Sequence, residues 1–405
     1  MKPNYQKTWR CCYWGAALQA LAINLAPLFF VTLQKQYAIS FEQIGRLVLI
    51  TFLVQLTVDF LSVYTVNRWG YRLSLVLAHA FTSAGLFLFG ILPRCMADAY
   101  VGMIIAVFVY SIGAGLLEVL ISPMANSLPS DRKAEALTFV HSFYPIGQVL
   151  TITLTTVAIR LLGEQYWWLI FMVWAVFPLL NLMRGLRVPL PETLAENKSS
   201  GVLRDLLKKP LYWMMLVLMM AAGASEMAMA QWASTFAEKG LNIDKVWGDL
   251  LGPLLFAVFM GLGRFCYGRS RGGVSLQKLL CSCAALALIC YGAAAFVPIP
   301  QVALLGCAVC GLAVSLMWPV TLSFCAQHFP QGDVSMFSIM ALAGDLGCAL
   351  GPWVTGAVSD AVQHRFLVDA TVGLKSGLAV TMIFPLILFV TLLFFKGTKT
   401  ENKQL

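Results

Sequence analysis

Charge is scarce in this chain: only 12% of its 405 residues are charged, against 59% hydrophobic, and the mean hydropathy is +0.78. No water-soluble fold of this length can bury so much apolar surface. Soluble-enzyme signatures are missing as well, with no G-x-x-x-x-G-K-[ST] loop, no H-E-x-x-H and no G-x-S-x-G. Their absence argues against ATP-driven transport by this chain alone and against a catalytic centre. The four histidines, His79, His141, His328 and His364, lack ligand spacing, so neither a metal nor a cofactor is expected. The eleven cysteines are odd in number, and most (Cys266, Cys281, Cys283, Cys290, Cys307, Cys310, Cys325 and Cys348) lie in or beside apolar runs. Small apolar packing groups fit them better than a disulfide framework or zinc ligands. The net charge of +9 is not gathered into a basic domain, so nucleic acid is not an expected partner and the positive charge suits loops facing anionic lipid.

What the chain has in place of charge is long, unbroken apolar runs. A bilayer core of roughly 30 Å takes about 20 apolar residues as a helix, and lipid offers no partner to a backbone N–H or C=O. The runs do not alternate as barrel strands would. Windowing places spans near 11–33, 44–66, 72–93, 99–124, 136–160, 166–187, 211–237, 246–268, 275–297, 301–325, 334–358 and 373–395. The expected fold is all-α integral membrane, with about twelve transmembrane helices in two pseudo-symmetric six-helix bundles. The first run, from Cys11 to Val31, is longer than a signal-peptide core and shows no small-residue cleavage site, so it is expected to be retained. Lys and Arg are more than twofold enriched in the even-numbered loops and termini, which places both termini in the cytoplasm of a multi-pass cell-membrane protein.

The stretch 188–210 is the one long polar connection: Val188-Pro189-Leu190-Pro191 leads into an acidic and then a basic segment ending at Pro210. It is expected to be a cytoplasmic linker between an N-terminal bundle, 1–187, and a C-terminal bundle, 211–405. A repeat supports the division. Gly115 and Pro123 in the fourth span stand at the same spacing as Gly311 and Pro319 in the tenth, and the next helix of each half brings Gly147-Gln148 or Gly344-Asp345. Each match is weak; their recurrence in corresponding spans fits a duplicated, rocking transporter.

Four acids interrupt the apolar spans: Asp59, Glu118, Glu226 and Asp345. A charge at mid-membrane costs roughly 2.5–3.5 kcal/mol on insertion scales, so each acid needs a cavity, a partner or a proton. No Lys or Arg stands at matching depth along the sequence, which makes all four candidate proton-coupling groups; the bland alternative is an acid that locks two helices together. Polar and aromatic residues accompany them: Gln19, Asn24, Tyr144, Gln148, Gln231, Trp232 and Trp318. Amides, carboxylates and aromatic faces suit a sugar, whose hydroxyls need donors and acceptors and whose C–H faces stack on rings. The same set could hold an amphipathic cation or serve only as polar cement between helices. The basic turn Asn67-Arg68-Trp69-Gly70-Tyr71-Arg72 and its counterpart around Gly261, Gly263, Arg264 and Gly268 to Gly272 suggest a cytoplasmic gate carried by Arg68, Gly70, Arg72 and Arg264, where Arg meets helix C-termini or carboxylates.

At these residues the sequence resembles the major facilitator superfamily. The turn from Asn67 to Arg72 is similar to its loop signature, with Asn where an acid usually stands. Within that superfamily, Gly113-Ala114-Gly115-Leu116-Leu117-Glu118, Pro123, Ser142-Phe143 and Gly147 resemble the fucose permease and the related glucose/galactose proton symporters, as do Gly263-Arg264-Phe265, Pro319 with Ser323, and Gly356 to Asp360. The resemblance implies a proton-coupling, substrate-linked role for Glu118. The family's first-helix acid has no match beside Asn24 and Pro27, and Tyr144 stands where the family has an asparagine. The leading expectation is therefore a monomeric secondary transporter, not an enzyme, that couples protons to symport of a sugar or similar small polar solute by alternating access. The alternatives are a proton-coupled antiporter exporting hydrophobic or cationic compounds and a non-transporting membrane sensor or integral-membrane enzyme.

Overall fold

In the computed structural model the described residues are 5–129, 133–190, 205–269, 275–329 and 334–395. They are helical, with no strand among them, and twelve helices are long and apolar enough to cross a membrane. These are α1 (Gln6–Tyr37), α2 (Phe41–Ser62), α3 (Arg68–Cys95), α4 (Ala99–Ala125), α5 (Phe139–Leu162) and α6 (Glu164–Gly185), then α7 (Pro210–Gly240), α8 (Lys245–Tyr267), α9 (Leu276–Phe296), α10 (Pro300–His328), α11 (Met336–Phe366) and α12 (Ala370–Phe394). Every expected span has its helix. The ends differ most at α11, whose polar stretch from Ser359 stays helical to Phe366, because apolar content marks what lipid covers and not where a helix stops. Successive spans alternate in direction, so α1 starts and α12 finishes at one end, the terminal face; the opposite end is the far face.

The glycines of the repeat correspond to equivalent packing in the two bundles, whereas the prolines do not: α4 runs unbroken through Pro123 and α10 breaks just before Pro319. A Cβ on Gly115 of α4 would press on Gln55 and Val58 of α2, and one on Gly311 of α10 on the Phe256 backbone of α8. Gly147 of α5 lies against Ala17 of α1; its counterpart in packing is Gly347 of α11, against Met220 of α7, rather than the expected Gly344, whose neighbour is the Trp318 ring. The same pairs of helices, six positions apart, thus meet through small residues that let backbones approach.

Among the described residues, three helices break where prolines fall: α12 at Met382, just before Pro385, and α1 and α10, which face the space between the bundles. Proline has no N–H, so it leaves the carbonyl four residues earlier without its helical donor. In α1 the helix stops at Asn24 and a 3-10 turn, Ala26–Phe29, carries Pro27; the carbonyl at risk is that of Ile23, and the Gln231 side chain of α7 reaches it at 3.4 Å. In α10 the segments Pro300–Val314 and Met317–His328 meet just before Pro319; the carbonyl at risk is that of Ser315, and Arg264 Nε of α8 donates to it at 3.2 Å.

The turn between α2 and α3 pivots at Gly70, with φ 76° and ψ 164°, a region open to glycine and strained for other residues. Arg72 then donates to the carbonyls of Gly185 (3.1 Å), Leu186 (2.6 Å) and Val188 (3.0 Å), closing the end of α6. Here the expected contact between an Arg and a helix C-terminus forms within the first six spans. Most of the linker (191–204), the side chain of Asn67 and residues 270–272 of the second basic turn lie outside the described residues.

The close approaches make a direct prediction. Gly311→Ala forces a Cβ onto the Phe256 carbonyl and is expected to lower stability by about 1–3 kcal/mol, seen as a lower apparent Tm in detergent. Gly261→Ala, with nothing within 4 Å of the added Cβ, should leave the Tm unchanged.

Candidate functional site

The proline-broken helices α1 and α10 and their partners enclose the space between the bundles. On the side of the first bundle, the Glu118 carboxyl of α4 meets the Gln19 amide of α1. Asn24, at the α1 break, donates from Nδ2 to the Ala20 carbonyl (2.8 Å) and accepts from Gln148 Nε2 of α5 (3.1 Å). The Tyr144 phenol meets the same Asn24 amide. Gln148 Oε1 is buried without a hydrogen-bond partner, as is one oxygen of Asp59, and such groups call for a ligand or water.

The carboxyls converge. Asp59 of α2, Asp345 of α11 and Glu118 of α4 lie within electrostatic range of one another across the boundary between the bundles. The outer edge of the Trp318 ring of α10 lies against Gly344, next to Asp345. On the other side Glu226 of α7 is buried, with Arg264 Nη2 at 3.9 Å from its Oε1. The expectation that all four acids stand apart from basic residues is therefore corrected for Glu226. Depth counted along each span put Glu226 at mid-helix and Arg264 near an end; α7 is long, and the Arg side chain closes the remaining gap.

The far face is sealed. Every residue from Ala20 to Leu33 and from Ala221 to Ala237 is buried. Asp360 of α11 accepts the backbone N–H of Phe41 (3.0 Å) and of Glu42 (2.5 Å) at the start of α2, and Trp353 Nε1 donates to the Glu42 carboxylate at 3.2 Å. Lys35 of α1 pairs with Glu238 of α7 at 2.7 Å. Behind that pair, Lys245 stands 3.2 Å from Asp249, which also accepts the Ser234 hydroxyl. Trp232 belongs to this seal: it is 1% exposed, donates to the Pro352 carbonyl at 2.9 Å, and packs on Phe30 and Phe41. Its expected place in the solute cavity is corrected, because its indole N–H is already satisfied away from the carboxyl cluster. Gln231 lines a narrow cavity with Pro27, Thr51 and Tyr110 that has room for about one water.

Toward the terminal face the space opens. Glu118, Tyr144 and Trp318 are half-buried, and His141, Pro319 and Ser323 are exposed. His141 Nε2 lies 3.0 Å from the Ser122 hydroxyl, one helical turn from Glu118. Of the residues singled out in the sequence, Gln19, Asn24, Asp59, Glu118, Tyr144, Gln148, Glu226, Trp318 and Asp345 come to this centre, and Arg264, expected at a gate, joins them. Arg68 is exposed at the turn beside Gly70. Sequence reasoning missed Lys35, Glu238, Lys245 and Asp249, all near span ends, where a charge carries no signal; Asp360 showed only as part of the resemblance.

The Major Facilitator Superfamily model matches residues 12–352. The chain belongs to the major facilitator superfamily. It is a multi-pass membrane transporter, and the family's members carry small molecules across membranes and are not enzymes. No curated protein matches the sequence. Among solved structures, the chain is similar to the D-xylose-proton symporter (TM-score 0.77, 16% identity, 96% of each chain covered). It is also similar to a bacterial homologue of the human lysosomal transporter Spinster in its inward-facing, unoccupied conformation (TM-score 0.76, 14% identity, 97% of each chain). The E. coli fucose:proton symporter shares the fold at a TM-score of 0.64, with 15% identity over 97% of this chain and 100% of that one. At these identities the likeness is one of fold.

The seal gives the superfamily member a testable hinge point. Asp360→Ala removes the acceptor of two helix N-terminal N–H groups, a loss of about 1–2 kcal/mol, and is expected to shift the protein toward opening at the far face. Maleimide labelling of a Val31→Cys variant, buried at present, should then speed up; an unchanged rate would show that the seal does not rest on Asp360.

Proposed function

We propose that this transporter couples protons to the uptake of a sugar or similar small polar solute. The observation that carries the reading is the gathering of Asp59, Asp345 and Glu118 within electrostatic range of one another, with one Asp59 oxygen buried and unpartnered. Like charges this close in a low-dielectric space do not all stay ionised without help. Glu118, half-buried on the open side, is the group that exchanges the proton. Gln19, Asn24, Gln148 and Tyr144 supply donors and acceptors for hydroxyls, with the unpartnered Gln148 Oε1 as a ready acceptor, and Trp318 offers a ring face.

The Lys and Arg excess in the even-numbered loops favours a cytoplasmic terminal face at the cell membrane, with bundles 1–187 and 211–405 joined by the cytoplasmic linker 188–210. On that reading the structure is inward-facing, and uptake proceeds as the bundles rock, opening the far-face seal while closing around Arg68, Gly70 and Arg72. One chain holds the whole path, which favours a monomer. Export of cations by antiport draws on the same carboxyls, but Arg264 in the same space counts against a cationic cargo.

Proteoliposomes test this reading. A panel of neutral and acidic sugars is added to vesicles containing a pH-sensitive dye, with wild type or Glu118→Gln. Sugar-driven proton movement is expected in wild type and should fall to background in Glu118→Gln, while exchange of solute for solute persists. Equal proton movement in both removes Glu118 from the coupling role, and drug-driven proton efflux in place of sugar-driven uptake would install the antiporter.

A further inference from the structure

A neutral sugar leaves Arg264 unexplained. Its Nε is occupied by the Ser315 carbonyl at 3.2 Å, but the nearest carboxylate oxygen, on Glu226, is 3.9 Å from Nη2, too far for a hydrogen bond. A guanidinium carries five donors in a planar fork that matches a carboxylate bidentately. The Arg264 side chain is 36% exposed, and its position on α8 is toward the terminal face. Helix α5 presents His141, within electrostatic range of Arg264, and Tyr144. The same space holds Asp59, Glu118 and Asp345. Arg264 is the one Lys or Arg among the residues brought to this centre, which also holds four carboxyls, Glu226 beside it and the other three within electrostatic range of one another.

Resting on the proton-coupled sugar reading, we propose that Arg264 binds a carboxylate on the solute, so that the cargo is an acidic sugar, a hexuronate or aldonate, taken up as a monoanion together with a proton. Charge balance makes the coupling concrete. Arg264 neutralises one carboxylate; in the empty site that is Glu226, which is buried. When the solute's carboxylate takes that place, Glu226 would remain as an uncompensated buried charge, an arrangement that costs several kcal/mol unless the group is neutral. A proton entering with the anion removes the excess charge. The loaded site then has the same net charge as the empty one, and the bundles can rock without carrying extra charge through the membrane. No covalent bond forms or breaks; the proton and the anion move together.

The purified full-length chain decides between cargoes. Thermal-shift and proteoliposome uptake measurements compare galacturonate, glucuronate and gluconate with galactose, glucose and fucose. Wild type is expected to bind and transport the acidic sugars in preference to their neutral counterparts. In Arg264→Gln the amide can still donate to the Ser315 carbonyl, so the α10 break stays capped and the unliganded Tm is expected to hold. Affinity for the acidic sugars should fall by about 10–100-fold, the loss of one charge-assisted pair, and Arg264→Lys should recover part of it. Equal binding of neutral and acidic sugars by wild type, or unchanged acid affinity in Arg264→Gln, overturns the inference while leaving the Glu118 coupling intact. If neither class of sugar moves protons, the proposed function falls with it. The wild-type comparison stands even if a variant fails to fold.

Discussion

A membrane interior has no water to offer a backbone carbonyl, and the architecture of this transporter's centre depends on how two such carbonyls are satisfied. Pro27 and Pro319 each withdraw a helical donor, and the replacement donors, Gln231 and Arg264, come from neighbouring helices. Breaking α1 and α10 therefore does more than bend them. It draws an amide from α7 onto α1, across the boundary between bundles, and holds a guanidinium beside Glu226. Helix ends obey the same demand: Arg72 closes α6, and Asp360 receives the first N–H groups of α2. Polar side chains gather where the backbone ladder of α1 and α10 is interrupted, close to the clustered carboxyls.

Much of the fold was legible because lipid imposes a coarse rule. A run of apolar residues long enough to span has to be a helix, and all twelve spans followed from that. The duplicated Gly and Pro spacing was legible as a pattern, and its physical content is the matched approach of α4 to α2 and of α10 to α8 through Gly115 and Gly311. The intramembrane acids and amides stood out for a related reason: a polar residue in an apolar run needs justification, and Gln19, Asn24, Glu118 and Gln148 are linked or adjacent in space.

What was not legible depended on relative depth and direction. Sequence position orders residues along one helix but does not level two helices of different length against each other, so the Glu226–Arg264 neighbourhood was hidden. Trp232 sits beside Gln231 in the chain, yet successive helical residues point about 100° apart; one lines the narrow cavity and the other closes the far face. The Lys35–Glu238 pair joins residues close to span ends, where charge is commonplace. Nor does the shared fold select a cargo, since similar twelve-helix frames surround a xylose symporter and a Spinster homologue.

The contact between Asp360 and the start of α2 has a consequence for how often the transporter can cycle. A carboxylate and a helix N-terminus are both strongly hydrated when apart, so separating them at the far face exchanges each partner for water instead of abandoning it. A latch made wholly of interlocked aromatic rings would expose apolar surface on opening and would be released slowly. By placing an ion-to-backbone contact at the rim and reserving Trp232 with its neighbours for the layer beneath, the protein has a closure that water itself can undo and remake, turnover after turnover.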